Sequence, residues 1–118
     1  MKRLLAGLAL TLIAASSAAA DDHLASGAEI RAAISGNTVQ GSMIDAGAYT
    51  EFYAADETIK GDGYTGAWSV DGDRMCFAYG EDPATCWSVA IDGDQVTWVK
   101  DGETDGTGTI VPGNPNDF

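Results

Sequence analysis

Three Asp-Gly pairs, Asp71-Gly72, Asp92-Gly93 and Asp101-Gly102, constrain this chain more than any other feature. Each sits between stretches in which apolar and polar residues alternate. Asp-Gly in that setting marks a tight β-hairpin, because a two-residue turn of the favoured hand needs positive φ at its central positions. The connections are too short to cross between parallel strands. Strands are predicted over 38–44, 48–54, 57–60, 64–70, 74–79, 85–91, 95–100 and 107–111. The expected fold is mainly β: an antiparallel up-and-down meander of seven or eight strands, as a curled sheet or a small barrel.

Alternation assigns the faces. Tyr64, Gly66, Trp68 and Val70 share one side, as do Met75, Phe77 and Tyr79, then Trp87, Val89 and Ile91, then Val96 and Trp98. Thr65, Ser69, Ser88, Gln95 and Thr97 take the other. The oily side is therefore the inner one. Trp68, Phe77, Trp87 and Trp98 are the aromatics that would line a ligand space if the interior is not filled. One helix precedes the strands. Ser26-Gly27-Ala28-Glu29 reads as a capping box, Ile30, Ala33 and Ile34 form an apolar stripe, and Gly36 stops it. So short a helix must lean on the sheet, and plugging an open end is the expected arrangement.

The first twenty residues read as a secretory signal. Lys2 and Arg3 precede an apolar run, and Ala18-Ala19-Ala20 suits cleavage after Ala20. Residues 21–118 then form one small β-domain, in the periplasm or secreted, with no membrane span after cleavage. Losing two basic residues moves the formal charge from −12 to −14. Such a field disfavours nucleic acid and favours cations or a basic partner. Export also decides the reading of Cys76 and Cys86, the chain's two cysteines. In an oxidising compartment they pair, across the 74–79 and 85–91 hairpin, and the loop they close is worth ~2.8 kcal/mol.

Several motifs imitate known chemistry. Gly61-Asp62-Gly63-Tyr64-Thr65-Gly66 has the spacing of a dinucleotide loop, but the segment after it alternates like a strand. Without a helix N-terminus there is no phosphate cradle, so no cofactor is expected. Asp101, Glu103 and Asp105 match the first positions of a calcium loop, yet Pro112 stands where its bidentate Glu belongs. They remain weak metal candidates, and a solvated acidic turn is the simpler reading. Asp71 with Asp73 and Asp92 with Asp94 are turn residues first. Asp21-Asp22-His23 could hold copper or nickel at a newly cut terminus. Among the carboxylates, Glu51 is the first to inspect for acid–base chemistry, because it lies within a predicted strand between Thr50 and Phe52. The competing reading puts it on the polar face. No catalytic set is assigned.

The order of segments, with Gly36-Asn37-Thr38 after the helix, Gly66-Ala67-Trp68 and two spaced cysteines, resembles a family of small exported bacterial proteins of unknown function. There is a looser likeness to the exported β-barrel inhibitors of lysozyme, without a residue-by-residue match to their inhibitory loop. The family resemblance implies an envelope location and carries over no catalytic residue. The functional expectation is a non-enzymatic binding module for a basic envelope protein or a small apolar ligand. A ligand carrier and a divalent-cation binder using the Asp-rich turns are the alternatives.

Overall fold

The computed structural model describes residues 23–118, so the signal segment, its cleavage point at Ala20 and most of the Asp21-Asp22-His23 tripeptide lie outside the described residues. Helix α1 (Gly27–Ile34) is followed by β1 (Asn37–Met43), β2 (Gly47–Tyr53), β3 (Thr58–Gly61), β4 (Tyr64–Asp71), β5 (Arg74–Ala78), β6 (Thr85–Asp92), β7 (Gln95–Lys100) and β8 (Glu103–Pro112). Each strand pairs antiparallel with the next, and β1 pairs with β8 to close the barrel. Closure gives every strand a neighbour on both sides, although β2 and β3 share only the Phe52–Lys60 and Tyr53–Ile59 pairs.

The Asp-Gly pairs mark hairpins, but two of the three are shifted by one place. Asp71 pairs with Arg74 and Asp92 with Gln95, so each ends a strand. The loops are Gly72-Asp73 and Gly93-Asp94, with glycine φ of 63° and 62° at the first loop position. That is the φ pattern of a II′ turn. Of these three, only Asp101-Gly102 occupies both loop positions, with φ of 53° and 79°, as a I′ turn requires. Because that turn is so tight, β8 starts at Glu103, four residues before the predicted start. The register between β7 and β8 shifts at Trp98/Val99: Trp98 faces Gly106 while Val99 faces Thr104. Asp105 is the extra residue of this bulge.

Helix α1 seals one end of the barrel. The Ser26 N–H donates to Glu29 Oε1 (2.9 Å), and the Glu29 N–H donates to Ser26 Oγ (3.2 Å), completing the capping box. The Gly27 N–H donates to Asp73 Oδ1 (2.8 Å), which ties the helix start to the β4–β5 turn. Gly27 is required there, since a Cβ would overlap the Gly72 carbonyl. Ile30 and Ile34 are fully buried among Val39, Ile59, Trp68, Met75, Val89 and Val96. Burying each such side chain is worth roughly 1.5–3 kcal/mol, enough to hold a helix that could not persist alone. The packed core therefore fills the helix half of the barrel.

The disulfide joins Cys76 of β5 to Cys86 of β6. The two residues face each other directly in the ladder, with Cα atoms 4.0 Å apart. Their neighbours Met75 and Phe77 point inward, so the bridge lies on the outer wall. No described helix is long and apolar enough to cross a membrane.

Candidate functional site

The half of the barrel opposite the helix is not filled. A cavity of about 650 Å³ opens at the end formed by the loops after β1, β3, β5 and β7. Its wall is mainly aromatic: Tyr49, Phe77, Trp87 and Trp98, with Tyr64 and Tyr79 toward the rim. Phe77 is the hub, packing edge-on against Trp87 (centroids 5.4 Å apart), Trp98 (5.4 Å) and Tyr53 (5.8 Å). These interlocked rings form a stiff lining.

The base of the cup holds a carboxylate. The sequence Tyr49-Thr50-Glu51-Phe52-Tyr53 places Tyr49, Glu51 and Tyr53 on one side of β2, and that side faces inward. Glu51 is 6 % exposed. The competing expectation, that it sits on the polar face, is thereby overturned. Three hydroxyls hold it. Tyr53 donates to Oε1 at 2.7 Å, Tyr64 donates to Oε2 at 2.7 Å, and Tyr79 reaches both oxygens at 2.9 Å. These contacts take up the carboxylate's good acceptor positions and fix its orientation. Burial, together with the negative charge of Glu51, raises the pKa of Tyr53, Tyr64 and Tyr79 above the ordinary phenol value. The three phenols stay protonated and keep donating.

Glycines make room for this arrangement, which explains the Gly61-Asp62-Gly63-Tyr64-Thr65-Gly66 motif. Asp62-Gly63 is the β3–β4 turn, and no helix follows it. A Cβ on Gly61 would overlap the Tyr64 ring, and one on Gly66 would press on the Ala78 carbonyl and the Tyr79 ring. The motif thus clears space for two of the three phenols that grip Glu51.

The remaining polar contacts hold the indoles. Trp98 Nε1 donates to the Tyr49 hydroxyl (2.8 Å), which donates to the Thr107 carbonyl (3.0 Å). Trp87 Nε1 donates to Asp105 Oδ2 (2.8 Å), an acceptor delivered by the β8 bulge. Lys100 Nζ lies 5.1 Å from the Trp87 ring centroid, over its face. Asp45 joins Asp105 and Lys100 around the mouth.

Of the four aromatics expected at a ligand space, Phe77, Trp87 and Trp98 line the cavity. Trp68 lies in the helix half instead, with its Nε1 donating to the Ala54 carbonyl (2.9 Å) and Arg31 over its ring. Asp101, Glu103 and Asp105 do not converge: Asp101 is in the turn, Glu103 pairs in the ladder, and Asp105 bonds Trp87. Among the described residues no group of three or more metal-ligating side chains comes together. His23 is exposed. Tyr49, Tyr64 and Tyr79 are the site residues that alternation placed inward or left unassigned without marking their role. The readable signal was the spacing of Tyr49, Glu51 and Tyr53 on one strand face.

The fold and site together define a small meander barrel, sealed by a helix at one end and open to an aromatic cup at the other. Comparison with protein-family models, with curated proteins and with solved structures finds no match to this chain.

Proposed function

We propose that this protein is a non-enzymatic binding module that takes a small ligand with an aromatic or apolar body into the open end of the barrel. The cavity of about 650 Å³ carries this reading. It falls in the range of small-molecule sites, which are concave, mostly apolar and fitted with a few placed polar groups. Eight strands also give a barrel just wide enough for one such guest. A basic protein partner is the less favoured occupant, because the apolar lining is recessed inside the strands and not spread over the outer wall. The Cys76–Cys86 bridge supports an oxidising compartment, the periplasm or beyond.

The test is a panel of small aromatic compounds, cationic, neutral and anionic, read by indole fluorescence and by melting temperature. Trp87 and Trp98 are in the wall, so an occupied cup changes their emission. If no compound of any charge alters the emission or the melting temperature, the proposal fails.

A further inference from the structure

Glu51 places a carboxylate in the aromatic cup, and among the described residues no cation pairs with it. The two ion pairs among the described residues, Arg31–Glu57 (3.3 Å) and Arg74–Asp71 (3.7 Å), both lie at the helix end. The partners Glu51 does have are neutral phenols, which satisfy its lone pairs but do not balance its charge. A buried charge without a counter-charge is costly, and a positive guest removes that cost. The mouth adds two more carboxylates, Asp45 and Asp105, against the single ammonium of Lys100.

The kind of cation follows from the same contacts. Because three hydroxyls already occupy the Glu51 oxygens, the carboxylate has little to offer an N–H donor. What the cup offers is charge at short range and the faces of aromatic rings. Both attract a cation that needs no hydrogen-bond acceptor. The Lys100 ammonium already uses one such face, that of Trp87. We infer that the cup selects an organic cation of the quaternary ammonium class, with the charge held among the aromatic rings above the tyrosine-bound Glu51 carboxylate. This presupposes the ligand-binding cup proposed above and names the chemistry of its guest.

Calorimetry at low salt with three probes of matched ring size separates the two ideas: benzyltrimethylammonium, benzyl alcohol and phenylacetate. The cation should bind at least about tenfold more tightly than the alcohol, with phenylacetate weakest. In E51Q the cation should lose about tenfold more affinity than the alcohol does. K100M gives a second reading in a variant that leaves the Glu51 cluster intact. It frees the Trp87 face and removes a like charge, so cation binding should tighten a few-fold. Alcohol or phenylacetate binding as tightly as the cation, an unchanged cation affinity in E51Q, or weaker cation binding in K100M would each overturn the inference while leaving the cup in place. Failure of all three probes to bind would remove both.

Discussion

The Tyr79 hydroxyl sits 2.9 Å from both carboxylate oxygens of Glu51, from a position 28 residues further along the chain. The contact spans the barrel interior from β2 to the residue just after β5. With Tyr64 it joins β4 and the end of β5 to the Glu51 carboxylate of β2, so the cup is held by side chains as well as by the ladder.

Removing the three phenol hydroxyls one at a time should cost stability in the order of their burial. Y53F, at a fully buried site, should cost about 2–3 kcal/mol. Y79F should cost about 1–2 kcal/mol, and Y64F, on the exposed rim, about 0.5–1 kcal/mol. Urea denaturation of the three variants checks the order. Equal losses, or Y64F as the most damaging, would contradict the cluster as described.

All four tyrosines of the chain have pKa values raised by burial, and Glu51 adds to each shift. Spectroscopic titration of the native protein should show little phenolate near pH 10, where the unfolded chain is about half ionised. The sign for stability follows. Unfolded tyrosines lose protons first, so the folded state binds more protons above the ordinary phenol value. Stability is therefore fully present below about pH 10 and falls as pH rises through the raised values. A native titration matching that of the denatured protein would exclude the arrangement.

Reducing the Cys76–Cys86 bridge, or replacing both cysteines by serine, should lower stability by about 3 kcal/mol. The barrel should still fold, because β5 and β6 remain paired within a closed ladder. Cleavage by an added protease should rise first in the connection between the two strands. Denaturation midpoints with and without reductant, followed by mapping of the cut, test this.

G66A should destabilise by about 1–3 kcal/mol, because the new methyl meets the Ala78 carbonyl and the Tyr79 ring. Combined with Y79F, the loss should be less than the sum of the two singles, since both act on the same ring. Additive losses would show that Gly66 matters for something else.

Much of the fold is legible in the residues. Asp-Gly punctuation and period-two alternation give an antiparallel meander of seven or eight strands in order and assign the inner face of β4 to β7. They do not give height along the barrel axis. Trp68 and Trp87 alternate inward equally well, yet one packs under the helix and the other lines the cup. Height depends on the stagger of every hairpin, which is a property of closure and not of any one strand. The contact of Asp105 with Trp87 was not legible for a related reason: a bulge reverses the facing of one residue against its neighbours. Glu51 drew notice as an acid inside a strand. Its phenol partners come from three separate strands or their ends, and a single sequence does not announce such convergence.

Helix α1 closes one end of the barrel, so the aromatic cup opens at the other. Leu24 bridges Ala90 and the Ala25 N–H donates to the Val89 carbonyl, so the chain enters the domain beside the sealed end. A tether or fusion partner joined ahead of His23 would hold the barrel by its closed base and present the aromatic opening outward. Immobilised through that terminus, the protein should keep full access to its guest.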